Sequence, residues 1–257
     1  MDEIKSRRNP LAQHFRRLGA DSGYREQCGE FICDGLKLLE EAAACGAEIT
    51  TAFAVSPLPV PLPAGARVFG VHKTLLDYIS PLKSAQDTIF SCRKPPQGGF
   101  SDLQGSYVLL DGIQDPGNLG TIVRTAHAFG MQGVILTGNC ADPYNPRAVR
   151  ATMGAIFKQS IFTADISHLA AMKTEGLRFI GTSSGAQSGR GLNGLKPAGS
   201  GARGVAICIG SEGNGLSREV TELCDDVVSI PMAEGCESLN AAVAAAILMW
   251  ELRKCHH

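Results

Sequence analysis

"YVLLDGIQDPGNLGTIVRTAHAFGMQGVILTG", Tyr107 to Gly138, reads as strand, turn, helix and strand in immediate succession. "YVLLDGI" and "GVILTG" are short apolar runs of the kind that make buried strands, and Asp115-Pro116-Gly117 is a turn opening a helical stretch. The pattern continues through "SIFTA", "RFIGTSS", "VAICIGS" and "DVVSIPM", each leading into a helical or loop segment. Such alternation implies an α/β fold with a mainly parallel sheet flanked by helices, over residues 106 to 257. Ligands on sheets of this kind sit beyond the carboxyl ends of the strands, so function is sought in the residues just past each strand end.

Three strand ends stand out. In "DGIQDPGNLGTIVRTAHAFG", Asn118 is placed to cap a helix and Arg124 lies within two helical turns of it. For the pair taken alone, a helix cap and a surface charge are the simpler account. In "ICIGSEGNGLSREV", Gly210, Gly213 and Gly215 surround Glu212 directly after a strand, which lets backbone N–H groups approach a ligand, as an ordinary glycine turn would also allow. In "IPMAEGCESLNAAVAAAILMWEL", Ser238 and Asn240 can cap the last helix, and Leu239 faces the neighbouring loops. By contrast "GSGARG", Gly199 to Gly204, satisfies the G-x-G-x-x-G dinucleotide pattern in reversed context, with a polar loop before it and a strand after it. No ATP P-loop sequence occurs.

Residues 1–92 read as a small α/β domain. Helices are expected at Pro10 to Leu18 and Leu36 to Cys45, and strands at Glu30 to Cys33, "ITTAFAV" and "ARVFGV", with "KTLLDYIS" and "TIFSCR" after them. "RKPPQGGFSDLQG", residues 93–105, is the expected linker, with two prolines, three glycines and no periodicity. The net charge of −1 gives no bulk attraction for nucleic acid. Residues 1–25 nevertheless set Lys5, Arg7, Arg8, Arg16, Arg17 and Arg25 against only Asp2, Glu3 and Asp21, a patch that can meet phosphates or simply face solvent. The nine cysteines are odd in number and scattered, and no His cluster has metal-ligand spacing, so neither a disulfide framework nor a metal site is expected. A cytoplasmic setting is the expectation, because no secretion signal is evident and the most apolar run, Ala241 to Trp250, is too short to span a bilayer.

Taken in this order and spacing, "DPGNLGTIVRTA", "IGSEGNGLS" and "IPMAEGCESLNAAVAAAI" resemble the three motifs of the SpoU/TrmH family of RNA 2′-O-ribose methyltransferases, within the SPOUT superfamily. "RAVRATMGA", Arg147 to Ala155, is similar to a segment the family carries between its first two motifs. The resemblance covers residues 106 to 254. More weakly, "IKSRRNPLAQHFRRL", "FICDGLKLLEEA" and "ISPLKSAQ" resemble the ribosomal-protein-like substrate-binding domain of many members, with Asp34 where Glu is usual and Asp87 where Gly is usual.

The resemblance implies a C-terminal trefoil knot, a topology that pattern reasoning alone excludes. It implies S-adenosylmethionine as cofactor, held by Gly210, Ile230 and Leu239 with Thr182 and Met232 as further walls. It makes Arg124 the catalytic residue, with Asn118, Glu212, Ser238 and Asn240 orienting it and the ribose, and it makes Arg7, Arg8, Arg16, Arg17 and Arg150 candidate RNA contacts. Arg150 could equally be a solvent-facing helix charge. As a literal base Arg124 would have to lose a proton held above pH 12, costing on the order of 7 kcal/mol at neutral pH, so phosphate fixation and alkoxide stabilisation are less demanding roles. The expected substrate is ribosomal RNA, with tRNA, or a non-catalytic RNA-binding assembly role, as alternatives. A homodimer through the catalytic domain is expected, partly because the resemblance implies it and partly because the last helix is apolar nearly all round and needs cover on more than one face, which neighbouring helices of the same chain would otherwise supply.

Overall fold

In the computed structural model, which describes residues 2–82, 85–96, 103–183, 202–236 and 238–254, the strands in chain order are β1 (Asp2–Ile4), β2 (Glu30–Asp34), β3 (Ile49–Ala54), β4 (Arg67–Val71), β5 (Thr88–Arg93), β6 (Gly105–Asp111), β7 (Gly133–Thr137), β8 (Ile161–Thr163), β9 (Leu177–Ser183), β10 (Gly204–Gly210) and β11 (Asp226–Ser229). The helices are α1 (Pro10–Ala20), α2 (Ser22–Cys28), α3 (Leu36–Ala44), α4 (Lys73–Ile79), α5 (Pro116–Ala128), α6 (Pro146–Thr152), α7 (Ile166–Thr174), α8 (Arg218–Leu223) and α9 (Ala241–Lys254). They form two units, one of residues 1–96 and 142–158, the other of residues 97–141 and 159–257. Residues 97–102 of the expected linker and Gly199 to Gly201 of "GSGARG" lie outside the described residues.

The first unit is a five-stranded sheet in the order β1-β4-β3-β5-β2, parallel at β1/β4 and β3/β4 and antiparallel at β3/β5 and β2/β5. Its core gathers Phe15, Leu18, Ile32, Phe53, Leu76 and Ile89, and the rings of Phe15 and Phe53 stack at 4.4 Å. Two elements escaped the sequence reading. β1 is three residues long, and α2 is a seven-residue polar helix between an Asp21 cap and a left-handed Gly29, without an apolar stripe to announce it.

Residues 142–158 belong to this unit although they fall between β7 and β8 in sequence. Arg25, 2% exposed, donates to Asp142 (2.7 and 2.6 Å) and to the Leu18 carbonyl (2.7 Å). Arg25 is therefore a structural cation rather than part of a phosphate-binding patch, and removing one partner of so enclosed a pair costs on the order of 3 kcal/mol. Phe31 packs on Tyr144 at 4.9 Å, and burial beside Asp142 pushes the Tyr144 phenol up to about 12.

The second unit is a six-stranded sheet, parallel throughout, in the order β11-β9-β10-β6-β7-β8. β6 and β10 are buried almost end to end, as central strands covered on both faces must be. The chain builds outward from β6 through β7 and β8, then crosses to place β9, β10 and β11 on the other side. Gly204, at the head of β10, lies so close to the Leu103 carbonyl that an added Cβ would sit 2.0 Å from it.

Glu30 lies at the edge of the first sheet, between His14 Nε2 (3.1 Å) and Arg93 (3.4 Å), with its side chain 13% exposed. The His14 hydrogen bond holds its carboxyl below the usual value against opposing burial. A carboxyl lowered in the native state contributes stability above its unfolded value, and that contribution is lost as pH falls from about 4.5 through the native value. Glu30→Gln should therefore destabilise the protein at neutral pH and lose its deficit relative to wild type in acid, as read by urea unfolding across pH.

Candidate active site

Asp115 caps α5 through its Oδ1, which accepts from Asn118 N at 2.9 Å, and Pro116 occupies the first helical turn where a missing N–H costs nothing. The expected cap was Asn118. Displacing the cap to Asp115 frees the Asn118 side chain, which now stands one turn into the helix. At the other end of the chain Asn240 does cap its helix, its Oδ1 accepting from Ala242 N (3.0 Å) and Val243 N (3.3 Å). That engagement leaves Asn240 its Nδ2, which donates to Asn118 Oδ1 at 3.0 Å. Asn118 in turn has only Nδ2 to offer, and it donates to Glu212 Oε1. The helix cap thus dictates the polarity of the whole chain of amides and requires an acceptor oxygen on Glu212.

Glu212 is delivered by a hairpin. Ser211 and Gly215 exchange backbone hydrogen bonds of 3.1 and 2.9 Å, and Gly215 takes φ 68°. The loop is tied at its far end by Asp111, 6% exposed, whose Oδ2 accepts from Ser217 N at 2.6 Å while Ser217 Oγ caps α8.

Beside these residues lies a cavity of about 570 Å³ at the carboxyl ends of β9, β10 and β11. Thr182, Gly210, Ile230, Met232 and Leu239 all line it, as do Glu212 and Ser238. Ser238 does not cap α9. Thr182 donates its hydroxyl to the Cys208 carbonyl at 2.8 Å, so it acts as a wall rather than a free donor. Sequence reasoning missed Leu216, Val228, Ala244 and Leu248, which close the apolar side. Nothing distinguishes them in sequence from ordinary core positions. Among the described residues the only ionisable side chain in the lining is Glu212, so the cavity suits a ligand with an apolar body and no phosphates, and its size fits a cofactor of nucleoside dimensions. Behind it the Cys208 thiol, raised well above its ordinary value by burial, lowers that of Cys224 through a hydrogen bond, with Lys173 assisting.

Arg124 is exposed on α5 and has no ion-pair or hydrogen-bond partner among the described residues. The hydrogen-bonded side chains therefore join Asn118, Glu212 and Asn240 and leave Arg124 outside. In the first unit Arg7, Arg8, Arg16 and Arg17 are exposed and unpaired with any described carboxylate. The guanidinium groups of Arg7 and Arg16 lie 4.7 and 4.2 Å from the Tyr78 ring centre, and that of Arg17 lies 3.8 Å from Tyr24. Gln13, donating at 3.3 Å, and the two arginines lower the Tyr78 phenol. Arg150 is exposed in the last turn of α6.

Known proteins match along the whole chain. It is 33% identical to an uncharacterised tRNA/rRNA methyltransferase of Synechocystis over 98% of this chain and 93% of that protein. It is 28% identical to the 23S rRNA (guanosine(2553)-2′-O)-methyltransferase RlmP of Bacillus subtilis, over 98% and 100%. The AdoMet-bound rRNA methyltransferase of Sinorhizobium meliloti superposes with a TM-score of 0.83 at 28% identity, covering 98% of this chain and 97% of that one. Residues 105–250, which contain the linked asparagines and glutamate and all of the described cavity lining, match the SpoU rRNA Methylase family, and the chain belongs to that family.

Proposed function

We propose that the protein methylates a ribose 2′-hydroxyl of structured RNA, most readily ribosomal RNA, with S-adenosylmethionine bound in the cavity of the second unit. The observation that carries this reading is a cavity without a cation among its described walls, lined by Ile230, Met232 and Leu239 and opening beside the Asn240–Asn118–Glu212 array. The Bacillus relative supports the ribose oxygen and ribosomal RNA. The cofactor supplies an electrophilic methyl group. Gly210 and the apolar walls would hold it, and the trefoil knot of the C-terminal half belongs to the same proposal. Residues 1–92 serve as the RNA-binding domain, with Arg7, Arg8, Arg16 and Arg17 against phosphates, in a cytoplasmic homodimer.

In this mechanism Glu212 is held at one oxygen by Asn118, leaving its second oxygen to accept the ribose hydroxyl hydrogen. Arg124 keeps its proton, fixes a flanking phosphate and stabilises the charge that develops on the ribose oxygen. RNA is selected over DNA because only RNA carries the hydroxyl.

Titration calorimetry should show binding of S-adenosylmethionine and its demethylated product and none of NAD or ATP. NAD binding with silence toward S-adenosylmethionine would overturn the cavity assignment. Arg124→Ala should lower methyl transfer to unmodified ribosomal RNA by more than about tenfold while cofactor affinity holds, and Arg124→Lys should recover little because the planar fork is lost. The dimer rests on α9, which packs on α5, β6 and β10 yet leaves Val243 48% and Trp250 45% exposed two turns apart on one side. Val243→Asp combined with Trp250→Arg should convert a dimer to a monomer in light scattering. A wild-type monomer that methylates RNA would remove the dimer.

A further inference from the structure

Met153 is the one non-glycine residue with positive φ among the described residues, at φ 50° and ψ 38°. It ends α6, where its N–H reaches back to the Arg150 carbonyl at 3.3 Å. A left-handed residue at this point of a helix is ordinarily glycine, since a side chain there crowds the next carbonyl. The next position is itself held to glycine, because its φ is 95° and an added Cβ on Gly154 would come within 2.9 Å of Glu41, whose carboxylate is paired with Lys158 at 2.7 Å. So two consecutive residues are left-handed, and the first carries a long apolar side chain. That side chain is 41% exposed, so burial in the core does not offset the backbone cost.

The surroundings indicate what the thioether meets. Arg150 lies one turn earlier, exposed, with no ion pair among the described residues. Its field reaches Asp34, but both oxygens of that acid are already engaged, accepting from Ser80 Oγ and from Gln86 N at 2.8 Å each. α6, "PRAVRAT", carries two arginines and no acid. An unbranched, polarisable side chain beside an unneutralised guanidinium matches a nucleotide, with an apolar base face next to a phosphate.

We infer that Met153 and Arg150 form an RNA contact in which the Met153 thioether packs on an unstacked base and Arg150 holds an adjacent phosphate. This inference rests on the RNA reading above and adds to it a contact residue that is neither catalytic nor cofactor-binding. It accounts for the persistence of a strained, exposed side chain at a position where glycine would fold better.

The test is M153G, with M153N as a second residue tolerant of this backbone and M153L as the variant that keeps the apolar contact. M153G should melt about 2 to 4 °C higher than wild type. With ribosomal RNA transcribed in vitro, and hence unmodified, its KM for RNA should rise roughly tenfold while kcat and the KM for S-adenosylmethionine hold. M153N should share the RNA defect and M153L should largely escape it. R150Q should weaken RNA retention and reduce its salt dependence by about one ion. A stabilised M153G with unchanged RNA KM would show a mere helix terminator, and an M153G no more stable than wild type would remove the strain from the argument. A lower molar mass for M153G in light scattering would reassign the side chain to a contact between copies of the chain. Filter retention of the same transcript, read without cofactor, separates the two readings. Wild type that retains but never methylates the RNA defeats the proposed reaction, whereas equal retention by wild type and M153G defeats the role of Met153.

Discussion

A methyl group on Gly210 would lie 2.0 Å from the backbone carbonyl carbon of Gly215. Only a residue without a side chain at this position lets the chain double back so tightly after β10, and the site depends on the return. Because the hairpin Ser211–Gly215 folds over its own strand end, Glu212 is presented beside the cavity. Because Gly210 is in register with Asp111, the acid at the end of β6 can take hold of Ser217 and tie off the loop. A buried carboxylate is costly unless its lone pairs are used, so Asp111 resists any rearrangement that withdraws the Ser217 N–H from it.

The same logic of exhausted hydrogen-bonding capacity orders the asparagines. A free asparagine side chain has two nearly equivalent orientations, and in this site neither is free. The α9 cap consumes the Asn240 oxygen, and each later partner is assigned by what remains. Three residues from opposite ends of the second unit's sequence become one oriented array, and its terminal atom belongs to the only carboxylate at the cavity among the described residues. Preorganisation here is a property of a helix terminus, propagated through two amides.

Apart from β1, the strands were legible in the sequence because each is a short apolar run between turn residues, and "YVLLDG" and "VAICIG" are buried as such runs predict. Boundaries and partners were less so. Asn118 reads as a helix cap by residue type, and only the proline two positions earlier moves the cap to Asp115. α2 has no apolar stripe, and Arg25 within it looks like one more surface charge until Asp142, far along the chain, is brought against it. Leu216, Val228 and Leu248 were illegible as cavity walls for a different reason. An apolar side chain has the same sequence signature whether it faces a neighbour or an empty volume.

The charge distribution separates the two tasks that the proposed function assigns to this protein. The described cavity lining carries no cation, which suits a ligand whose own reactive centre is positive and penalises phosphate-bearing nucleotides of similar size. The arginines that could meet phosphates are not in that lining but on α5, on α1, in the turn before α1 and in the last turn of α6, and three of them lie over tyrosine rings. Stacking restricts a long flexible side chain without neutralising it, so the ordering of those guanidiniums is largely met before any RNA arrives. A chain with a net charge of −1 has little long-range pull on a polyanion, so the proposed function requires its hold on RNA to come from local, preordered contacts of this kind.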